Sequence, residues 1–233
     1  MKKIILSLAT VFAFGVVSAQ DLVSSKGENY LPQEGDWSIG FNAGNALKFI
    51  GNAFNGNTNN AFADSAFGKN QTFAVPGLSN GISFTGKVFT SDTEATRYTA
   101  NVVFNYSKKK DADATTAFGL LAGYGKEWRK GTTRLQGYYG ADVFAGLGSA
   151  AKDNFSFAVG AQGFVGAEYF IFPKVAIGAQ YSYPVTIGYT SSKVGGVDTN
   201  TFTFGIGKAD EIATGGVDAL GFGIASLTFN VHF

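Results

Sequence analysis

The last seven residues, Leu227-Thr228-Phe229-Asn230-Val231-His232-Phe233, alternate apolar and polar without a break and finish on an aromatic side chain. A period of two is the period of a β-strand whose two faces meet different surroundings. Half-buried strands of many kinds share it. What this strand belongs to is decided by the other end of the sequence and by the residues between.

Lys2 and Lys3 precede an apolar run from Ile4 to Val17, interrupted only by Ser7, Thr10 and Gly15, and the run ends in the small-residue triplet Val17-Ser18-Ala19. That order is a secretory signal peptide, expected over residues 1–19, with cleavage near Ala19 and export through the Sec pathway. No later segment approaches the roughly 20 consecutive apolar residues of a spanning helix, so the exported chain is expected either to be soluble or to cross a membrane as strands. Composition favours strands: 32 glycines, 23 phenylalanines, 15% aromatic residues and only 4 prolines. The absence of cysteine excludes a disulfide scaffold and thiolate-bound zinc. A formal charge of +1, with Lys108-Lys109-Lys110 the one basic run, gives no electrostatic case for nucleic acid.

Residues 20–35 are polar and expected to be a flexible periplasmic lead-in, and 36–233 to form one barrel domain. Alternation starts at Trp37, Ile39, Phe41 and Ala43. Residues 51–80, rich in Asn, Gly, Ala and Phe, are too long and irregular for a hairpin and are expected to be an extracellular loop. Strands are then expected at 81–90, at 97–107 beyond a turn from Ser91 to Thr96, and around Phe118 to Trp128. Arg129-Lys130-Gly131 turns the chain into a strand from Leu135 to Leu147. Phe155 to Ile171 gives the longest alternation, Phe172-Pro173 reverses it, and Val175 to Tyr189 follows. Residues 191–219 form a second long loop, within which Thr201 to Gly207 alternates as a strand extension or hairpin would, and the last strand runs from about Leu220 to Phe233.

Eight strands with short turns at one end and long loops at the other fit a closed antiparallel up-and-down transmembrane β-barrel, all-β, in the outer membrane. The soluble alternative is a lipocalin-like ligand-binding barrel, which would point its apolar face inward. The counter-phase residues argue for lipid outside: Ser156, Ala158, Gly160, Gln162, Gly166 and Glu168 in one strand, and Ala176, Gly178, Gln180, Ser182, Pro184 and Thr186 in the next, are small or polar.

Three segments carry a resemblance: Gly86-Lys87-Val88-Phe89 with Arg97-Tyr98-Thr99-Ala100, then Tyr138-Tyr139-Gly140-Ala141, then Phe164 to Lys174. On these the chain resembles the small outer-membrane β-barrel proteins of Gram-negative bacteria, most closely the bacteroidete type, in the broad group that includes the membrane domain of outer membrane protein A. The resemblance implies an architecture, and a carboxyl-terminal strand whose Phe229, Val231 and Phe233 are read by the barrel-assembly machinery. Outer membrane protein A continues into a peptidoglycan-binding domain, which has no counterpart before Phe233, so cell-wall tethering is not implied.

The pleat places Lys87, Arg97, Glu127, Arg134, Asp142 and Glu168 on the inward face, most of them toward the turn end. Buried charges need partners, so a lumen charge network is expected, with Arg134 beside Glu127 and Glu168. The same charges would line an ion path if the lumen were open, and a narrow ion or small-solute channel is the alternative function. Phe144, Phe164 and Phe170 also point inward. The resemblance implies that enzymes built on such barrels depend on a histidine, paired with Ser or Asp, to activate a nucleophile or water. The single histidine, His232, is the next-to-last residue of the last strand and is expected to be a polar filler or rim residue. The expected function is a non-enzymatic integral membrane barrel with a structural or surface-interaction role through its extracellular loops. No cofactor or metal is expected, and the expected partners are outer-membrane lipid, lipopolysaccharide, the assembly machinery and an unidentified surface protein.

Overall fold

The computed structural model describes residues 22–42, 82–108, 110, 114–149, 152–194, 196–206 and 224–233. Nine strands are described: β1 (Trp37–Asn42), β2 (Ile82–Ser91), β3 (Glu94–Ser107), β4 (Thr115–Lys130), β5 (Leu135–Ser149), β6 (Asn154–Phe172), β7 (Val175–Val194), β8 (Val197–Ile206) and β9 (Ile224–His232). Every pairing is antiparallel, and the strands follow each other around a sheet in the order β6-β5-β4-β3-β2-β1-β9-β7-β8. A further pairing of β6 with β7 brings the sheet back on itself, so its strands form a ring.

Local chemistry explains the boundaries. Asp92-Thr93 is all that separates β2 from β3, a tighter turn than the expected Ser91 to Thr96, and the Ser91 hydroxyl accepts from the Thr93 N–H. Pro173-Lys174 joins β6 to β7, with Lys174 in the left-handed region at φ 62°. β4 runs through Arg129 and Lys130, which were expected in a turn. Within the segment expected as a loop from 191, β7 continues to Val194 and β8, from Val197 to Ile206, pairs back along it. The expected loop 51–80 and residues 207–219 lie outside the described residues.

The strand count exceeds the expected eight by β8. β8 and β9 run in the same direction along one edge of β7: Ile206 pairs with Val185, and Ile224 pairs with Ser182. Between them lie Tyr183 and Pro184. Val185 and Ala179 aim their carbonyls at β6, where a Cβ on Gly160 or Gly166 would meet them. By alternation the Pro184 nitrogen faces the β8/β9 edge, and it has no hydrogen to donate. At that position β7 has no donor to offer the edge.

The two faces of the ring differ sharply. Inward positions carry Lys87, Arg97, Glu127, Gln136, Asp142, Gln162, Glu168, Gln180 and Asn230, all buried. Outward positions carry the large apolar residues, from Phe84 and Val102 through Leu120, Val143 and Val165 to Ile187 and Leu227, all exposed. Residues 22–35, the described part of the expected flexible lead-in 20–35, lie with Asp36 at the turn end and make specific contacts with it, including a hydrogen bond from the Lys174 N–H to the Tyr30 carbonyl.

Candidate functional site: the buried charge cluster

Two carboxylates, Glu127 on β4 and Glu168 on β6, are completely buried inside the ring. Glu127 is met by Lys87 Nζ at 3.0 Å, Arg97 Nη1 at 3.1 Å and Arg129 Nη1 at 3.2 Å. Glu168 is met by Lys87 Nζ at 2.7 Å, Arg129 Nη2 at 2.5 Å and the Asn230 side-chain amide at 3.0 Å. Lys87 and Arg129 thus each bridge both carboxylates. Arg97 Nη1 also donates to the Gln180 side-chain oxygen Oε1 at 3.0 Å, and its Nε lies 3.6 Å from Asp142, which accepts from Gln162 at 2.9 Å. Three cations and three anions from β2, β3, β4, β5 and β6 balance, and charge-assisted bonds offset much of the desolvation they suffer together.

Strand periodicity assembles this set. Glu127 and Arg129 are two residues apart on β4 and so share a face, while Lys87 pairs with Arg97 across β2 and β3. Glycines clear the space. A Cβ on Gly125 would strike the Asp142 carboxylate and the Ala141 carbonyl, one on Gly140 the Lys126 carbonyl and the Phe164 ring, and one on Gly166 the Tyr138 ring. Aromatic rings fill what remains: Arg97 lies 3.9 Å over the Phe164 ring, Lys87 4.9 Å over Tyr138, and Arg129 within 6 Å of Phe89, Tyr138 and Phe170. Phe144, Phe164 and Phe170 are buried, on the inward phase expected of them.

Five of the six residues singled out in the sequence, Lys87, Arg97, Glu127, Asp142 and Glu168, come together here. Arg134 does not join them. It sits half-buried in the turn before β5, with its guanidinium 3.6 Å over the Tyr30 ring, because residues 132–134 bend the chain out of the pleat. Its expected place beside Glu127 and Glu168 is taken by Arg129, which extending the Gly125-Glu127 alternation by one more step would have found. The outward face is not free of charge either. Lys126 is exposed, pairs with Glu94 at 2.9 Å and reaches over Trp128.

His232 is buried between Phe89 and Phe170, with ring centroids 5.5 and 5.3 Å away, and Nε2 is 4.0 Å from Glu168. It fills the turn end of the interior. At the chain end Phe233 stacks on Trp37 at 4.4 Å, and the two residues exchange backbone hydrogen bonds. Phe229 and Val231 pair with Phe41 and Ile39 of β1 and with Ile177 and Val175 of β7. The carboxyl-terminal strand is therefore the piece that joins β1 to β7. No protein-family model matches the chain, and comparison with characterised proteins finds no similar sequence.

Proposed function

We propose that this protein is a non-enzymatic integral outer-membrane β-barrel, an eight-position transmembrane ring in which β8 and β9 share the eighth position, with a structural or surface-interaction role through its extracellular loops. The observation that carries the reading is the inversion of the ring: ion pairs and amides inside, contiguous large apolar side chains outside. Soluble monomers rarely expose an apolar patch beyond a few hundred Å². Here Phe84, Tyr98, Val102, Phe104, Tyr124, Val143 and Val165 are all exposed on successive strands.

The height of the apolar face supports the same reading. On β7 the outward residues are apolar from Ile177 to Tyr189, then become Ser191 and Lys193. At about 3.3 Å per residue and a tilt of about 40° that stretch rises about 30 Å, close to the roughly 25 Å apolar band of such barrels. β8 changes at the same level: Phe202 faces Tyr189, Asn200 faces Ser191 and Asp198 faces Lys193. Trp37, Trp128 and Tyr169 sit near the turn end and Tyr106 and Tyr189 near the other, as interfacial girdles do. Among the described residues no helix is long and apolar enough to cross a membrane.

On this reading the surroundings are outer-membrane lipid and lipopolysaccharide, the assembly machinery reads the strand ending at Phe233, and a surface protein is a further partner of the loops. The channel reading meets an interior occupied by the ion cluster and by Phe144, Phe164 and Phe170. Migration in unboiled detergent gels tests the proposal: the folded protein runs at a different apparent size from the boiled one and is recovered with the outer membrane. Recovery as a soluble periplasmic monomer would overturn it.

A further inference from the structure

The residues at the turn end of the interior are shielded from solvent although they stand at an open end of the ring. Ser38, Phe89, Phe170, Ala176 and His232 are each 3% exposed or less. Among the described residues, the segment that lies across this end is 22–36.

Its contacts reach every turn there. The Glu34 N–H donates to Asp92 in the β2–β3 turn at 3.0 Å, and the Gly35 N–H donates to the Phe89 carbonyl at 2.9 Å. Tyr30 stacks under Arg134 of the β4–β5 turn at 3.6 Å, and its carbonyl accepts from Lys174 of the β6–β7 turn at 3.1 Å. Asp36 forms a close ion pair with the same Lys174. Between these anchors Pro32 is buried and Leu31 half-buried. The segment also holds its own shape: the Ser24 hydroxyl accepts from Glu28 N–H at 3.1 Å, the Tyr30 N–H donates to the Leu22 carbonyl at 2.8 Å, and Val23 bridges Asn29.

We propose that residues 22–36 are a cap that seals the turn-end mouth of the ring, closing the interior to the compartment on that side independently of the ion cluster above it. A tail that merely led into β1 would need no contact beyond the β2–β3 turn next to β1. This segment instead ties β1 to the two turns farthest from it, through one aromatic–guanidinium stack and one ion pair on a shared lysine. Arg134 and Lys174, outside the interior cluster, acquire a role as its two anchors.

The chain has no cysteine, so a single introduced thiol reports solvent access without background. Ser38→Cys changes one buried atom on the inward face of β1. In the full mature chain folded in detergent micelles, this thiol is expected to react slowly with a bulky charged maleimide, while Thr199→Cys, exposed at the far end, reacts fast. Adding Tyr30→Ala with Asp36→Ala is expected to speed labelling at position 38 by about tenfold or more while leaving the folded gel band unchanged. Ala176→Cys serves as a second buried reporter if Ser38→Cys does not fold. The proposal is overturned if the buried thiol reacts in the intact protein as fast as in urea, or if the paired substitutions leave its rate unchanged.

Discussion

Replacing Glu168 by Gln keeps its shape and removes its charge. In the native ring the Glu168 carboxylate is met by Lys87 at 2.7 Å, Arg129 at 2.5 Å and Asn230 at 3.0 Å, with no exposure to water. Glutamine offers one acceptor where there were two, and turns an NH2 group toward donors. It also leaves Lys87, Arg97 and Arg129 facing only Glu127 and Asp142. Breaking a buried ion pair from one side costs about 3–5 kcal/mol because a charge is left without a counter-charge. Removing both partners avoids that cost, so Arg129→Gln with Glu168→Gln should be about 2 kcal/mol less destabilised than the sum of the single variants. Urea titration in micelles or lipid, followed by the folded gel band and by fluorescence of Trp37 and Trp128, measures all four corners of the cycle. A Glu168→Gln effect under about 1 kcal/mol, or strictly additive single effects, would mean that the cluster does not hold the ring together as its geometry implies.

Other perturbations separate the interior from the surface. Gly140→Ala puts a Cβ against the Lys126 carbonyl and the Phe164 ring and should sharply reduce the yield of folded protein in refolding assays, whereas Gly163→Ala, which meets nothing within 4 Å, should fold normally. Opening the exposed Lys126–Glu94 pair with Glu94→Gln should change stability by no more than about 1 kcal/mol, and any change should fade in high salt. Deleting Leu227 to Phe233 leaves β1 and part of β7 with unpaired edges, at several kcal/mol per unsatisfied group in hydrocarbon, and should abolish accumulation in the membrane fraction. Phe233→Ala, which loses the stack on Trp37 but keeps the backbone pairing, should show a milder loss in the same fractionation.

Period-two alternation made most of the ring legible, because one-sided burial forces it on every strand: the inward phase of Lys87, Arg97, Glu127, Asp142 and Glu168 could be read directly. Arg129 was missed because Arg-Lys-Gly resembles a turn, and only the presence of two buried carboxylates makes a buried guanidinium tolerable there. Arg134 was misplaced because the pleat cannot be extrapolated through residues 132–134. Phe172 faces outward through a bulge between Phe170 and Phe172, which shifts the phase by one residue without leaving a mark in composition. The contacts of residues 22–36 run largely through backbone groups to turns distant in sequence, so no local pattern announces them. That β8 and β9 lie along the same edge of β7 follows from pairings between residues far apart in sequence, which are read only once register is known.

Depth-dependent quenching by brominated lipid tests most directly whether the apolar face of the ring lies in hydrocarbon. In a background with Trp37→Phe and Trp128→Phe, a single tryptophan replaces either Val143, outward on β5, or its neighbour Phe144, inward. After reconstitution, Val143→Trp should be strongly quenched by lipids brominated along the acyl chain, and Phe144→Trp should be nearly unaffected. Quenching at 144 but not at 143, or at neither, would contradict a membrane-spanning ring with its polar face inside.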